Sequence, residues 1–260
     1  MLQEILSSVG IYKLYEKWLQ HQVKDGNKPE HIAIILDGNR RWASEKSLDP
    51  WLGHSFGARK IEQLLEWCLN LNVTSVTLYA FSTENFQRVK KEVEEIMRIA
   101  EEELRKILTD ERIHKNKVRV KFIGRLGLLP KSLQQLVWEV EQATKSYDQH
   151  FLNVALAYGG RAEIVDAARN IAREVETGEL KLDAIDEQVF EKYLYTAYLP
   201  KQDPDLIIRT SGEERLSGFL LWQSAYSELC FLDVYWPEFR RIDLLRAMRT
   251  YQQRKRKFGK

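Results

Sequence analysis

HIAIILDGNRRW, residues 31–42, decides how the chain is read. HIAIIL (31–36) is a short apolar run, the pattern of a strand buried on both faces. At its tip stand Asp37 and Gly38, then Asn39, Arg40, Arg41 and Trp42. A strand-tip Asp can hold a hard cation such as Mg²⁺. Gly38 lets backbone amides approach an anion closely. Arg40 and Arg41 can donate charge-assisted bonds to phosphate oxygens, each worth roughly 1.5–3 kcal/mol. On its own the segment reads first as an Asp-Gly turn with a solvated basic pair. Its surroundings decide.

Working outward, apolar runs alternate with helical periodicity. The pattern predicts strands at 31–36, 75–81, 118–124, 151–158, 205–210, 219–222 (FLLW) and 228–233. Helices are predicted at 57–70, 91–108, 129–143 and 161–176, with a last one from about Pro237. Strands separated by helices imply an α/β fold, a mostly parallel central sheet with helices on both faces. Ligands in such sheets sit beyond the carboxyl ends of the strands. Upstream, Leu2, Ile5, Leu6, Val9, Tyr12, Tyr15 and Leu19 recur at helical spacing with Trp18 nearby, before KDGNKPE (24–30) breaks the pattern. This amphipathic arm, residues 1–28, suits packing on its own domain, on a dimer partner or on a membrane surface. Residues 29–260 read as a single catalytic domain.

Other strand ends repeat the chemistry of the first. One runs into Ser82, Thr83, Glu84, Asn85, Phe86 and Arg88. Another runs from Arg209 through Ser211 and Gly212 to Arg215, Leu216 and Ser217. A fourth ends in Tyr158-Gly159-Gly160-Arg161, a glycine pair opening a helix, which suits an anion at a helix N-terminus. Arginines with Gly or Ser at four strand ends read as a phosphate site. Neither GxxxxGK[ST] nor GxGxxG after a strand is present, which disfavours a nucleotide hydrolase or dinucleotide enzyme. A small polyanion held by arginines and a metal is left, a diphosphate being one such group. Glu228 offers a second carboxylate to share the cation with Asp37, although taken alone it reads as a surface or capping residue.

Composition removes other classes. Forty Lys+Arg against 38 Asp+Glu leave a net charge of +2, so no globally basic nucleic-acid binder is encoded. Two cysteines, Cys68 and Cys230, exclude a disulfide framework and a thiolate zinc site. No run approaches the roughly 18 apolar residues of a membrane span, and the N-terminus lacks a secretory pattern. A cytoplasmic protein, with peripheral contact at the membrane as an option, is the expectation.

HIAIILDGNRRWA, LYAFSTENFQR, AYGGR, DLIIRTSGEERLSGFLLWQ and AYSELCF stand in the order of, and resemble, the cis-prenyltransferase (undecaprenyl diphosphate synthase) family over about His31 to Gly259. The long N-terminal arm is similar to archaeal and eukaryotic members. The resemblance implies helices and a parallel sheet around a hydrophobic tunnel, a homodimer, and Mg²⁺-dependent addition of isopentenyl diphosphate to an allylic diphosphate with Z geometry. The implied primer is farnesyl or geranylgeranyl diphosphate, and the product a Z-polyprenyl diphosphate. The DDxxD repeats of trans-type enzymes are absent.

Carried onto this chain, the resemblance implies Asp37 as the essential Asp at metal and allylic diphosphate, with Glu228 as second metal ligand. Gly38, Asn39, Arg40, Arg41, Trp42 and His54 match the primer-diphosphate loop. Ser82 and Asn85 match the pair assigned to proton removal or its relay. Thr83, Glu84, Phe86 and Arg88 belong to the same substrate-binding loop, and Arg209, Arg215, Leu216 and Ser217 to the isopentenyl diphosphate clamp. Bacterial members carry Arg where Pro50 stands, and Arg40 replaces a Gly found in some. Val89 replaces a frequent Pro, and Lys257-Phe258-Gly259 stands at a frequent RxG. Expected tunnel walls are Ile96, Ile99, Leu104 and Leu108, then Leu136, Val137 and Val140, residues that plain core packing would also use. The basic tail Arg254-Lys255-Arg256-Lys257 reads as a solvated helix end or as an attraction for anionic lipid. The alternative function is a non-catalytic partner subunit of a heteromeric enzyme. Such subunits lose the first-loop Asp and parts of the clamp, whereas Asp37, Asn85, Arg209, Arg215 and Glu228 are all present.

Overall fold

The computed structural model describes residues 10–24 and 26–254. Six strands form one all-parallel sheet: β1 His31–Ile35, β2 Ser75–Ser82, β3 Val118–Ile123, β4 His150–Tyr158, β5 Leu206–Arg209 and β6 Glu228–Phe231. Their spatial order is β3-β4-β2-β1-β5-β6. The chain builds outward from β1 on one side, then returns to place β5 on the other. The carboxyl ends of β1 and β5 are therefore the point at which strand order reverses, where open α/β sheets bind ligands.

Nine α-helices are described: α1 Ile11–Lys24, α2 Asn39–Glu45, α3 Pro50–Asn70, α4 Lys90–Thr109, α5 Glu111–Lys115, α6 Lys131–Thr144, α7 Gly160–Glu176, α8 Glu187–Glu191 and α9 Arg241–Gln253. The apolar run of β1 divides by alternation. Ile32 and Ile34 face a large core shared with α1, α3, α4, α6 and α9. Ala33 and Ile35 face a second core closed by Tyr79, Tyr158, Phe219 and Leu220. A fully buried side chain such as Phe219 contributes roughly 2–3 kcal/mol.

FLLW (219–222) is a correction: it forms turns, not a strand. Ser217 and Leu220 have φ of 49° and 45°, incompatible with extended backbone. The segment is apolar because Phe219 and Leu220 plug the second core. The last helix starts at Arg241, after a short 3₁₀ turn at Trp236–Glu238. In the described part of the arm, Leu19 and Val23 are fully buried, and α1 lies on α9. Residues 1–9 and the tail beyond Arg254, including the Lys257-Phe258-Gly259 position, lie outside the described residues.

At the amino ends of the strands a buried polar row ties the sheet together. His31 Nε2 meets Thr77 Oγ1 at 2.7 Å, and Asn153 Nδ2 donates to the same hydroxyl at 2.8 Å. Asp205 accepts from the Glu30 and His31 amides and from Lys201 Nζ. At the carboxyl ends, a register irregularity lets Ala80 bulge from β2 and Ala157 from β4. Such bulges bend strand tips and re-aim the residues that follow.

Candidate active site

Asp37 leaves β1 between Thr210 and Trp236, both tied to its backbone. Its amide donates to Thr210 Oγ1 (3.0 Å), and its carbonyl accepts from that hydroxyl (2.7 Å) and from the Trp236 amide (3.0 Å). Gly38 follows with φ 100°, and a Cβ there would stand 2.6 Å from the Tyr235 ring, so only glycine fits. One Asp37 carboxylate oxygen accepts from the Gly38 amide, the other from Arg209 Nη2, each at 2.7 Å. Burial would raise this carboxyl's pKa, but the Arg209 guanidinium, the Gly38 amide and the Ser211 hydroxyl outweigh it and hold it below the usual range. The site thus presents an ionised carboxylate. Asn39 Oδ1 and Arg209 Nε are buried without a hydrogen-bond partner.

These groups line a cleft of about 1180 Å³ across the sheet's carboxyl edge, with Arg40, Arg41, His54, Ser82, Thr83, Glu84, Asn85, Arg88 and Ser217. Gly159, Gly160 and Arg161, at the start of α7, close its far side. Ser82 and Asn85 are locked to each other. The Asn85 amide oxygen accepts from the Ser82 backbone N–H at 3.0 Å, and the Ser82 hydroxyl caps the Asn85 amide. With its oxygen engaged, the Asn85 side chain keeps N–H groups to donate, and an amide so held is a poor base. Arg209 Nη1 reaches Ser217 Oγ at 2.9 Å and the Arg215 carbonyl.

One residue was not singled out by the sequence reading. Glu92, on the first turn of α4 and 6% exposed, gathers basic side chains on one side of the cleft. Its Oε1 lies 3.1 Å from His54 Nε2, 3.0 Å from Arg88 Nη1 and 3.6 Å from Arg40 Nε. Three elements thus converge on one carboxylate beside Pro50. Burial is the main reason that His54 titrates below its ordinary value, the Arg88 and Arg40 charges adding to it, against the pull of Glu92. The imidazole is neutral at pH 7.

Several expected residues stand elsewhere. Trp42, one helical step past Arg41, turns inward, and its indole N–H donates to Glu238 at 3.0 Å. Phe86 packs edge-on against Phe81, with centroids 4.9 Å apart. Leu216 packs against the second core. The Arg215 guanidinium points out to Glu213, which also holds Arg41. Glu228 is the largest correction. It opens β6, level with Leu206 and Ile32, and pairs with Arg254 at 2.7 Å. Asp37 lies five residues beyond Ile32, so the two carboxylates of one chain are separated by roughly 16 Å along the strands. They cannot share an ion within one chain.

A narrow apolar channel of about 200 Å³ adjoins the cleft, sharing Leu36, Asn39, His54, Ala80 and Phe81 as walls. It runs between the sheet and the pair α3 and α4. Ile96, Ile99 and Leu104 line it as expected, joined by Ile61, Leu65, Leu78 and Val154. Leu108 and the α6 residues Leu136, Val137 and Val140 do not line it. The α6 residues are core, buried against β3.

A family model described as undecaprenyl diphosphate synthase matches residues 35–259. A Methanopyrus kandleri protein named tritrans,polycis-undecaprenyl-diphosphate synthase (geranylgeranyl-diphosphate specific) is 57% identical over 250 residues, covering 96% of this chain and 92% of that protein. The Pyrococcus horikoshii protein of the same name is 55% identical over 249 residues, covering 96% and 94%. The crystal structure of lavandulyl diphosphate synthase from Lavandula x intermedia, in complex with dimethylallyl diphosphate, matches with a TM-score of 0.86 at 38% identity. That match covers 90% of this chain and 99% of the other.

Proposed function

The chain belongs to the undecaprenyl diphosphate synthase family and is a prenyltransferase that condenses isopentenyl diphosphate with an allylic diphosphate, and from that premise we propose which primer it takes and which residues act. The primer is geranylgeranyl diphosphate, a reading supported by the names of the archaeal relatives. One observation carries the assignment of the site: the ionised Asp37 and its arginines stand at the lip of a cleft that adjoins an apolar channel. Diphosphate heads fit the first and a prenyl tail the second.

The primer diphosphate lies against Gly38, Asn39, Arg40, Arg41, His54 and Arg88. The isopentenyl diphosphate lies against Arg209 and Ser217, with Arg215 swinging in from Glu213. Guanidiniums placed where charge grows on the departing diphosphate stabilise the transition state more than the ground state. Holding the two reactants together supplies much of the remaining acceleration. Asn85 orients the donor, and the proton leaving its C2 goes to a diphosphate oxygen.

Asp37 also suits Mg²⁺. A single ionised carboxylate fits an ion whose other ligands are substrate phosphate oxygens and water, and no cluster of three or more ligating side chains occurs among the described residues. Bound there, the ion would neutralise charge on the diphosphate. The proposed assembly is a homodimer, a reading supported by the edge strand β6, where Leu229, Cys230 and Phe231 are only half-buried beside the exposed Tyr226. Among the described residues no helix is long and apolar enough to cross a membrane.

The test is incubation of the pure protein with labelled isopentenyl diphosphate and primers of increasing length, products resolved by size. Geranylgeranyl diphosphate should give the highest kcat/KM. Asp37→Ala should cut turnover about a thousandfold or more. Near-normal Mg²⁺-dependent turnover in that variant would sink the role given to Asp37.

A further inference from the structure

Glu213 stands between the two diphosphate positions. Its carboxylate is divided: Oε1 accepts from Arg41 Nη1 at 3.0 Å, and Oε2 accepts from Arg215 Nη1. Arg41 is on α2, directly after β1, and Arg215 is in the loop after β5. One carboxylate thus spans the primer half and the donor half of the proposed reaction. A tight turn fixes its place. Ser211 and Gly212 both take left-handed backbone, with φ of 80° and 73°, and their amides donate to the Val234 and Leu232 carbonyls at 2.8 and 2.9 Å. Arg41 is held from two more sides, by Ser211 Oγ at 2.5 Å and by Asp37 Oδ2 at 3.5 Å. The two arginines of the donor clamp differ. The Arg209 side chain is 5% exposed and fixed by Asp37 and Ser217. The Arg215 side chain is 63% exposed and does not line the cleft, although its own carbonyl accepts from Arg209 Nη1. The backbone of Arg215 is therefore anchored to the site while its guanidinium is drawn away from it. Moving in takes a side-chain rotation and the exchange of Glu213 for a diphosphate oxygen. Ion pairs this exposed to water are weak, so the exchange runs both ways within a turnover.

We propose that Glu213 is a positioning residue for repeated condensation: it takes Arg41 and Arg215 back from the diphosphates once the new bond is made. The inference rests on the proposed reaction and concerns only the interval between rounds. Each condensation leaves pyrophosphate at the primer position and an elongated diphosphate at the donor position. Guanidiniums that stabilise charge on a departing group also hold that group after it has departed. A carboxylate tethered within reach of both competes for them at high effective concentration. Pyrophosphate is thereby released, and the longer chain moves across to the primer position. Product release limits turnover in many enzymes, so a residue that speeds it acts on the later rounds more than on the first bond formed.

Glu213→Gln in the full chain keeps the shape and removes the charge. Pyrophosphate titrated calorimetrically in Mg²⁺ buffer should bind this variant about tenfold more tightly than wild type. In rapid-quench assays with geranylgeranyl diphosphate and labelled isopentenyl diphosphate, the first condensation should slow less than about threefold and the later ones about fivefold or more, leaving short intermediates. In the steady state kcat and the KM for isopentenyl diphosphate should fall together. Glu213→Asp, which keeps the charge, should stay within about threefold of wild type in each measurement. Wild-type pyrophosphate affinity and wild-type intermediates in Glu213→Gln would overturn the proposal. So would a first condensation slowed as much as the later ones, the mark of a structural role. A wild-type enzyme that condenses no primer would instead overturn the reaction on which the proposal rests, and the proposal with it. Pyrophosphate binding, read without turnover, separates the two failures.

Discussion

Glu92 carries a clear residue-scale consequence. A carboxylate holding His54, Arg88 and Arg40 together fixes where one imidazole and two guanidiniums stand before substrate arrives. Glu92→Gln keeps the shape and removes the charge, loosening charge-assisted bonds worth roughly 1.5–3 kcal/mol each. The KM for the allylic primer should rise about tenfold while that for isopentenyl diphosphate stays within about twofold, measured by varying each substrate in turn. Equal changes in both would show that Glu92 serves the fold rather than the primer half. At the same scale, Arg209→Ala should raise the KM for isopentenyl diphosphate, read from the same titrations. A shift confined to the primer would show that the two diphosphate positions are exchanged.

At the scale of elements, strand ends and helix faces divide the work. The carboxyl ends of β1, β2 and β5 bring the reacting groups together, and the facing sides of α3 and α4 wall the channel. Ala100 is the small residue of α4 on that wall. Ala100→Leu should shift products to shorter chains at nearly unchanged initial rate, seen by sizing labelled products. An unaltered length distribution would mean that the growing chain runs elsewhere. At the amino ends, burial lowers His31 to about 4, against the pull of Asp205. The folded state keeps His31 neutral, whereas the unfolded chain protonates it near 6.5. Its contribution is therefore intact above about pH 6.5 and is lost as pH falls toward 4, by roughly 3 kcal/mol in all. Melting temperature against pH should drop across that window in the wild type and less steeply in His31→Gln. Parallel slopes would remove His31 as the cause.

At the scale of the whole molecule, function follows from where the strand order reverses. The chain returns across β1 to lay β5 on its free side, so Asp37 and Arg209, distant in sequence, leave neighbouring strands together and meet at 2.7 Å. The strand positions and the acidic tip of β1 were legible because a buried parallel strand needs an apolar run and its ligand groups must follow it. Ser82 and Asn85 were legible as small polar residues following an apolar strand and through the family motif, and only the structure showed that they close a capping box on each other. Glu92 was not, because it is one of several acids in KKEVEEIMRIAEEE, and only the packing of α4 against α3 buries that one. Glu228 misled although its position spoke against it: it begins a strand, and in a parallel sheet that assigns it to the end opposite the cleft. FLLW misled because apolarity records burial, and a turn can be buried as deeply as a strand.

Local order thus came from the sequence unaided: alternating apolar runs and helical periods, the glycine after Asp37, the arginines at four strand ends. These depend on neighbours within a few residues, whose sterics and spacing are written in the chain itself. Which carboxylate gathers the cations, which apolar faces leave a channel instead of closing into core, and which strand ends share an edge were decided only by the folded chain. Those outcomes depend on contacts between residues 38 to 172 positions apart, such as His54 with Glu92 and Asp37 with Arg209, whose distances no spacing encodes.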